Sequence, residues 1–360
     1  MRVLVGLSGG VDSSVTACLL KKEGYEVIGA TMSIWNKEKF KNLSTTYLKD
    51  ACFSPHEEKD IEIAKALCKK LDIEYHVIDC VKEYQTLVLQ NFREEYLAGH
   101  TPNPCVVCNS TIKFEALPRG AKAHGIKFDK FATGHYVRLS YNAELKRYQL
   151  RQAKDEKKDQ SYFLYRLSQE QLSRVLMPLG NYTKDQVRQV AKEFALEVSD
   201  KKDSQDFYSG DINDILQEPD KEGNFVDSNG KILGRHNGIW HFTIGQRRGL
   251  GVCADRPLYV IGINKEKNEV VLGYKEEGYK ASLIIGDVRW LSVPEIKEKR
   301  DVLLKLRSSQ VPFKAILEPM KNGKVKLVFH EQQKAVALGQ SAVMYNNEGY
   351  VLGGGVIQSV

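Results

Sequence analysis

Several features that mark exported or membrane proteins are scarce or missing in this sequence. No run approaches the roughly 18 uninterrupted apolar residues that a membrane-spanning helix requires. The apolar stretch after Met1 is too short for a secretory signal, so we expect neither a signal peptide nor a membrane partner. Seven cysteines in 360 residues, an odd number, do not suit a disulfide framework. We therefore expect reduced thiols and a cytoplasmic protein.

Repeats and low-complexity tracts are also lacking, and the composition is that of an ordinary folded protein. Hydrophobic residues make up 42% and charged residues 28% of 360 positions, a length that allows two or three domains. The formal net charge of +7 is modest. It would help to attract a polyanion but does not by itself identify one.

About the first 200 residues alternate strand-like and helix-like segments. Predicted strands are VLVGL, 26–34, 73–79 and 127–137, and predicted helices follow Asp12 and cover 57–71. This alternation predicts an α/β fold with a parallel sheet, whose ligands bind at the carboxyl ends of the strands.

The pattern changes after about residue 205. Residues 230–251 are rich in glycine and short apolar pairs, which indicates a small β-containing domain. From residue 282 onward, short alternating runs separated by turns predict a small antiparallel barrel. We therefore divide the chain into domains at 1–204, 205–281 and 282–360.

The segment SGGVDSS, residues 8–14, lies where the first predicted strand gives way to a helix. Gly9 and Gly10 let the backbone approach a ligand, and the N–H groups at a helix start favour an anion. The loop has neither the P-loop pattern G-x-x-x-x-G-K-S/T nor the dinucleotide pattern G-x-G-x-x-G. It is similar to the SGGxDS loop of the ATP pyrophosphatases, which split ATP between its α and β phosphates. In that chemistry the backbone donors hold pyrophosphate, and we expect Asp12 to help hold Mg²⁺.

A second segment, GHTPNPCVVCNSTIKF at 99–114, presents two thiols three positions apart. Two prolines flank Asn103 and predict an extended, stiff loop rather than a regular helix. The pair Cys105 and Cys108 suits a redox dithiol, half of a zinc site or part of an iron–sulfur site. The sequence has no second C-x-x-C pair, which disfavours a structural zinc ribbon.

These two segments, with FATGHYVR, KDQSYFLYRL, KKDSQDF, FTIGQRRGLG and GQSAVMY, closely resemble the bacterial tRNA-specific 2-thiouridylases. The segments occur in the family's order and spacing over nearly the whole chain. The resemblance implies an α/β fold in which an ATP-pyrophosphatase domain of the adenine nucleotide alpha hydrolase-like class precedes a central tRNA-contacting domain and a C-terminal β-barrel.

The resemblance also implies a reaction and its partners. ATP adenylates the C2 oxygen of the wobble uridine, U34, in tRNAs for Lys, Glu and Gln, and a cysteine-borne sulfur then displaces AMP. The ligands are ATP, Mg²⁺ and tRNA. The sulfur donor is a cysteine desulfurase, a sulfur carrier or free sulfide, and we expect a monomer.

Matching positions carry the family's functional residues over to this chain. Cys108 matches the cysteine that accepts and delivers sulfur. The positions that match nucleotide contacts are Gly6, Leu7, Ser8, Gly9, Gly10, Val11, Asp12, Ser13, Met32 and Gly134. The positions that match tRNA contacts are Asn103, Pro104, Cys105, His135, Lys158, Asp159, Gln160, Arg307 and Gln340. Arg247 and Arg248 add cationic surface for phosphate contacts.

The sequence departs from the family at its second catalytic cysteine. Most members have Asp in place of Cys105, and a second cysteine where this chain has Tyr208. The usual two-cysteine relay between these positions is therefore not available. The family's basic segment near Arg307 also has one arginine fewer here, so Lys305 and Arg307 are either tRNA contacts or a solvated strand face.

Two uses of the cysteines remain open. In the first, Cys105 resolves a persulfide on Cys108, helped by thiolate character near a helix start and by cationic neighbours. In the second, Cys105 and Cys108 bind a 4Fe–4S cluster with either Cys52 or Cys80 as the third ligand. Cys18 and Cys68 lie on apolar helix faces, and we expect them in the core.

Two other functions compete with thiolation. A small-molecule ligase of the same superfamily would use the ATP loop but would leave the C-x-x-C segment unexplained. A non-catalytic RNA-binding module would not need SGGVDSS at all, and substitution of Asp12 would leave it functional.

Overall fold

The computed structural model describes residues 1–40, 51–201 and 207–360. Residues 202–206 of the segment KKDSQDF lie outside this part, and so does the predicted domain boundary at 204/205, which stays a prediction. The described residues form a parallel sheet with helices, then a small mixed sheet, then a closed barrel. The predicted α/β class with a β-containing central domain and a C-terminal barrel is confirmed.

The N-terminal unit is built on a five-stranded parallel sheet in the order β3-β2-β1-β4-β7. Its strands are β1 (Arg2–Gly6), β2 (Glu26–Ser33), β3 (Glu74–Asp79), β4 (Lys130–Ala132) and β7 (Val175–Leu176), and a hairpin adds β5 (Val137–Asn142) and β6 (Arg147–Gln152). Val3 and Val5 pack into one hydrophobic cluster while Leu4 packs into another, because alternate residues of a strand face opposite sides. The sheet is therefore covered on both faces, as its near-continuous apolar strands require.

The helices of this unit connect the strands. They are α1 (Val11–Lys22), α2 (Glu57–Leu71), α3 (Val81–Tyr84), α4 (Gln90–Leu97), α5 (Pro104–Cys108), α6 (Leu117–Ala123), α7 (Gln169–Ser173) and α8 (Lys184–Glu193), with π-helical turns at Gln85–Leu89 and Asn109–Ala116 and 3₁₀ turns at Ser161–Leu164, Pro178–Asn181 and Glu197–Asp200. Among residues 1–40, 51–201 and 207–360, no helix is both long and apolar enough to cross a bilayer.

The central unit follows with α9 (Ile212–Leu216), β8 (Gly223–Val226), β9 (Ile232–His236), a 3₁₀ turn (Ile239–His241), β10 (Tyr259–Asn264), β11 (Glu269–Gly273) and a 3₁₀ turn (Lys275–Gly278). Its sheet has the order β10-β11-β8-β9. The last unit consists of β12 (Tyr279–Trp290), β13 (Arg300–Lys305), β14 (Phe313–Pro319), a 3₁₀ turn (Lys321–Gly323), β15 (Val325–Lys334), β16 (Ser341–Tyr345) and β17 (Val351–Ser359). These strands close into a barrel in the order β12-β15-β14-β13-β16-β17.

The barrel docks directly on the cysteine-bearing segment. The backbone N–H of Thr101 donates to the carbonyl of Leu338 at 2.8 Å, and Gln340 Nε2 donates to the carbonyl of Pro102 at 3.1 Å. These two bonds hold the chain immediately before α5. The C-terminal unit therefore helps to position the thiols, although it contributes none of them.

Candidate nucleotide and sulfur-transfer site

The SGGVDSS loop connects β1 to α1. Gly9 has a φ of +66°, and a Cβ there would lie 2.8 Å from the carbonyl oxygen of Asp60, so this position requires glycine. The Ser8 backbone N–H donates to Ser13 Oγ at 3.2 Å, and Ser14 Oγ donates to the Gly10 carbonyl at 2.8 Å. These bonds fix the turn that ends at the amino terminus of α1.

A pocket of about 170 Å³ opens beside this loop at the carboxyl ends of β1, β2 and β4. Seven residues with predicted nucleotide contacts line it: Gly6, Leu7, Ser8, Asp12, Ser13, Met32 and Gly134. The other lining residues are Lys113, Leu117, Phe131, Thr133, His135 and Gln160. Gly9, Gly10 and Val11 belong to the turn itself, and Val11 is buried in the core. The residues predicted from three separate strand ends therefore meet at one pocket.

Asp12 carries an ion pair that sequence reasoning missed. Its two carboxylate oxygens lie 2.8 and 2.9 Å from Nζ of Lys184, at the start of α8, and the Tyr136 hydroxyl donates to the first of them at 2.7 Å. The Lys184 side chain is only 10% exposed. The Lys184 ammonium neutralises the Asp12 carboxylate, and the expectation that Asp12 helps to hold Mg²⁺ stays a prediction.

The second glycine of the pocket brings two loops into contact. A Cβ at Gly134 would lie 2.7 Å from the carbonyl carbon of Asp12 and 2.8 Å from the backbone nitrogen of Ser13. The β4 end and the start of α1 therefore touch through their backbones. Only glycine allows this approach.

Residues 100–103 are not helical, as the two prolines predict, but α5 begins at Pro104 and carries both thiols, which corrects the expectation that the loop extends through them. Asn103 caps α5 by accepting the Val106 N–H at 3.3 Å, and Pro104 occupies the first turn, where its missing N–H costs nothing. Cys105 and Cys108 thus lie three apart on one short helix. Side chains at this spacing are neighbours on a helix surface.

The helix then widens into the π-helical turn Asn109–Ala116. A π-helix repeats its contacts at a spacing of about five residues, which places Lys113 next to Cys108. Lys113 lines the nucleotide pocket, where burial acts to lower its pKa, but Cys108, Cys52 and Cys105 in their ionised forms raise the pKa above its usual value. The π-turn therefore connects the cysteine helix to the nucleotide pocket.

Burial dominates the chemistry of both thiols on α5. It raises the pKa of Cys105 to about 11 and of Cys108 to about 12, and the Lys113 ammonium offsets only part of this effect. This corrects the expectation of thiolate character near a helix start. Both thiols are protonated at neutral pH until a ligand changes their surroundings.

The third thiol near α5 is Cys52, which is exposed to solvent. Ionised Cys52 raises the pKa of both Cys105 and Cys108, and Cys80, which is buried, has a smaller effect on Cys108. Among the described residues no group of three or more Cys, His, Asp or Glu side chains is arranged to hold a metal ion. The cysteines as placed here do not fit a three-sulfur cluster site. Cys18 and Cys68 are buried in the core, as predicted.

Several predicted tRNA contacts have structural roles in this fold. The Asp159 side chain is 1% exposed, accepts the Ser161 hydroxyl at 2.8 Å and lies 3.9 Å from Lys305 of the barrel. The Asp159 carboxylate therefore joins the N-terminal unit to the barrel, and the expectation that this position contacts tRNA stays a prediction. The Lys305 side chain is 6% exposed, so it does not lie on a solvated strand face.

Two other members of this predicted set, His135 and Gln160, line the pocket. His135 is buried beside the pocket with Nδ1 2.8 Å from Thr133 Oγ1, and Gln160 Oε1 accepts the Tyr136 N–H at 2.9 Å. Asn103, Pro104 and Cys105 are half-buried at the start of α5. Lys158 is half-buried next to Asp159 in sequence, and Gln340 is half-buried where it donates to the Pro102 carbonyl. Arg247, Arg248 and Arg307 are exposed, and Arg307 donates to the carbonyls of Ile244 and Ala335.

Three family models match successive parts of the chain. They are described as a tRNA methyl transferase HUP domain (residues 1–208), a tRNA methyl transferase PRC-barrel domain (residues 212–274) and an aminomethyltransferase beta-barrel domain (residues 280–357). Among curated relatives, the tRNA-specific 2-thiouridylase MnmA of Endomicrobium trichonymphae is 49% identical over 99% of both chains. The protein of the same name from Clostridium botulinum strain Eklund 17B is 45% identical over 100% of this chain and 98% of its own.

Solved structures are more distant. The NMN synthetase of Francisella tularensis is 18% identical, with a TM-score of 0.33 over 56% of this chain and 65% of its own. A likeness at that level carries no argument about function.

Proposed function

Because this chain belongs to the tRNA-specific 2-thiouridylase family, we propose that it replaces the C2 oxygen of the tRNA wobble uridine with sulfur at the expense of ATP. The substrate tRNAs are those for Lys, Glu and Gln, and the protein acts as a cytoplasmic monomer. One observation carries the mechanism: α5 presents two thiols, and the π-turn that continues it contributes Lys113 to the nucleotide pocket.

The first half-reaction is adenylation of the uridine. The SGGVDSS turn offers backbone N–H groups and the positive end of α1 to the phosphates of ATP. The Asp12–Lys184 pair holds the start of α1 in place, and the Lys113 ammonium faces the same pocket. Mg²⁺ accompanies ATP in this proposal, but no step is assigned to Asp12 as its ligand because Lys184 already pairs with that carboxylate. His135, whose pKa burial and Lys113 lower to about 3, stays neutral and positions the base without acting as an acid.

The second half-reaction transfers sulfur. The outer sulfur of a Cys108 persulfide attacks C2 of the adenylated uridine, the C2–O bond breaks, and AMP leaves with the oxygen. Cys105 loses its proton to the solvent once the bound ligands change its surroundings, and its thiolate attacks Sγ of Cys108, forming a Cys105–Cys108 disulfide and leaving the outer sulfur on C2 as the thiocarbonyl. The transferred sulfur is reduced and the two cysteines are oxidised, so a thiol reductant must restore them.

The disulfide requires α5 to adjust. Side chains three apart on a helix lie about 5–6 Å from each other at Cβ, whereas a disulfide requires about 3.5–4.5 Å, so the five-residue helix must shift by about one to two ångströms as the bond forms. A 4Fe–4S cluster held by Cys105, Cys108 and Cys52 or Cys80 is the alternative. We derive no step through it, because the described cysteines do not form the necessary group of three.

The tRNA approaches over the cationic surface. Arg247 and Arg248 are exposed between β9 and β10 of the central unit, and Arg307 lies at the seam between the central unit and the barrel. Guanidinium groups at such positions suit phosphate contacts, which fix orientation rather than sequence. Asn103, Pro104 and Cys105 belong to the start of the helix that carries both thiols, and they would contact the target base.

The test is thiolation of an unmodified tRNA transcript in vitro. The purified protein receives ATP, a thiol reductant and a cysteine desulfurase with L-cysteine, and nucleosides are analysed by mass spectrometry. We expect 2-thiouridine at the wobble position, and a loss of at least about 100-fold in Cys108→Ser and in Asp12→Asn. Cys253→Ser is the matched control, because Cys253 is exposed in the central unit. Retained activity in Cys108→Ser would refute the sulfur-transfer role.

Two further arms separate the alternatives. Iron and acid-labile sulfide are measured on protein purified without oxygen, with Cys105→Ala and Cys108→Ala as controls. About four irons per chain, lost in both variants, would replace the dithiol route by a cluster-dependent one. Two of the matching families are described as tRNA methyl transferase domains, so methyl transfer is tested as well. The protein receives S-adenosylmethionine in place of ATP and the sulfur donor, and we expect no methylated nucleoside.

A further inference from the structure

We propose that Cys52 is the thiol that first accepts sulfur from the donor protein and passes it to Cys108, an inference that rests on the proposed thiolation. Among the described residues, three free cysteines near the start of α5 differ in how far they are exposed to solvent. Cys52 is exposed, Cys105 is half-buried and Cys108 is buried. A persulfide carried on another protein can meet only the exposed member directly.

Backbone pairing places Cys52 beside the segment where relatives have their second cysteine. The N–H of Phe53 donates to the carbonyl of Phe207 at 3.0 Å. The Phe53 ring also stacks on Phe207, with centroids 6.0 Å apart, and lies 6.1 Å from the ring of Tyr208. Residues 52–53 and 207–208 are therefore neighbouring segments, and a thiol at 52 lies close to the position that Tyr208 has taken from cysteine.

Tyr208 itself cannot perform sulfur chemistry. Its hydroxyl donates to Asp214 Oδ2 at 2.5 Å, and burial together with that carboxylate raises its pKa. The side chain thus anchors the segment to α9. A replacement for the lost thiol must come from elsewhere, and Cys52 is the neighbouring cysteine on the paired segment.

The aromatic cluster around Phe53 connects Cys52 to α5. Phe53 stacks on Tyr84 with centroids 5.4 Å apart, and both rings share one hydrophobic cluster with Val106 and Cys108 of α5. Charge on Cys52 acts on Cys105, Cys108 and Lys113 alike, which supports the same placement. The three thiols and the lysine therefore lie within electrostatic range of one another, although the thiols do not have the arrangement of a metal site.

The transfer consists of two balanced exchanges. The Cys52 thiolate attacks the outer sulfur of the donor persulfide, a Cys52 Sγ–S bond forms, and the donor leaves as its thiolate, which takes up a proton. The Cys108 sulfur then attacks the same outer sulfur, the Cys52 Sγ–S bond breaks, and the released Cys52 thiolate takes up the proton that Cys108 gives up. No oxidant or reductant is consumed before the uridine step.

The first experiment traps the intermediate. Cys108→Ser protein is incubated with a cysteine desulfurase and L-cysteine, alkylated and digested, and each cysteine peptide is analysed for one added sulfur atom. We expect the sulfur on Cys52. Sulfur on Cys105 instead, with Cys52 unmodified, would overturn the proposal.

The second experiment compares sulfur donors. With the desulfurase as donor, we expect Cys52→Ser to thiolate tRNA at least about tenfold more slowly, whereas with glutathione persulfide, which is small enough to reach α5, the loss is under about threefold. Cys253→Ser, the matched exposed cysteine, should behave as the unsubstituted protein with both donors. Equal rates for Cys52→Ser and Cys253→Ser with the desulfurase would overturn the proposal.

A third variant separates this inference from the proposed function. Adding Tyr208→Cys to Cys52→Ser returns a thiol to the paired segment, and we expect it to recover at least part of the lost desulfurase-dependent rate. If no variant or donor yields 2-thiouridine, the proposed function fails. If Cys108→Ser is inactive with both donors while Cys52→Ser is normal with both, only the role of Cys52 fails.

Discussion

At the scale of single residues, Lys113 lies between the cysteine helix α5 and the nucleotide pocket. It lines the nucleotide pocket, and among the described residues no carboxylate forms an ion pair with it. A cation in an ATP pocket that is not paired with an acid is suited to developing negative charge on a phosphate or a sulfur. We therefore expect Lys113 to contribute to both half-reactions of the proposed function.

We expect Lys113→Gln to lower the thiolation rate about 100-fold, because one preorganised cationic donor is lost. Lys113→Arg keeps the charge and should retain more activity. Lys122→Gln serves as the control, since Lys122 is an exposed cation on α6 and does not line the nucleotide pocket. Rates are measured at saturating ATP, and activity of Lys113→Gln within twofold of Lys122→Gln would contradict the assignment.

A second residue-scale prediction concerns acid stability. Burial and the nearby Lys113 lower the pKa of His135 to about 3, whereas an unfolded histidine titrates near 6.5. Protonation therefore favours the unfolded chain, so the stability that neutral His135 contributes is complete above about pH 6.5 and is lost as the pH falls toward 3. The cost approaches about 1.4 kcal/mol per pH unit in that window.

The measurement is the thermal unfolding midpoint between pH 7 and pH 4. We expect the decline with falling pH to be shallower in His135→Gln than in the unsubstituted protein. The comparison uses slopes, because the substitution also changes packing at a buried position. Parallel slopes would show that His135 is not the titrating group.

At the scale of elements, the contact between the end of β4 and the start of α1 leaves the least space for a side chain in the nucleotide site. We expect Gly134→Ala to weaken ATP binding at least about tenfold, because its Cβ would press on the backbone of Asp12 and Ser13. Gly262→Ala is the control, since its nearest contacts would be at 3.4 and 3.5 Å. Calorimetric titration with ATP gives the comparison, and equal affinities would contradict the close approach.

The sequence predicts elements best where their pattern is long. Helix 57–71 is confirmed at α2 (Glu57–Leu71), whose acidic first turn and basic last turn complement the helix dipole. The strand predicted at 127–137 shrinks to the three residues of β4, and the two residues of β7 are too short to give any alternation. Strands as short as these are fixed by the strands they pair with rather than by their own residues.

The site was only partly predictable for the same reason. The glycine loop and the C-x-x-C pair are local sequence patterns. The structure places the glycine loop beside the nucleotide pocket and the two cysteines on α5. Lys184 and Tyr136 meet Asp12 across 172 and 124 positions of sequence, so no local signal could have paired them. The π-turn is also invisible in the sequence, because eight residues cannot distinguish its spacing from that of an α-helix.

At the scale of the whole molecule, a buried ion pair joins the barrel to the N-terminal unit. Removing the charge in Lys305→Met leaves Asp159 buried without its cationic partner, and we expect a loss of about 3 kcal/mol in unfolding free energy. The double variant Lys305→Met/Asp159→Asn should recover part of it. Differential scanning calorimetry follows the transitions, and an unchanged profile in Lys305→Met would show that the pair does not hold the two units together.

The barrel is synthesised long after the cysteine segment to which it is hydrogen-bonded. Pro102 and Gln340, joined by one of these hydrogen bonds, are 238 positions apart. At about 5–20 residues per second, a ribosome needs about 12–48 s to travel between them. For that interval the segment before α5 lacks the two hydrogen bonds that the barrel supplies. We therefore expect a chain that ends before Leu338 to bind ATP but to thiolate tRNA more slowly than the full-length protein.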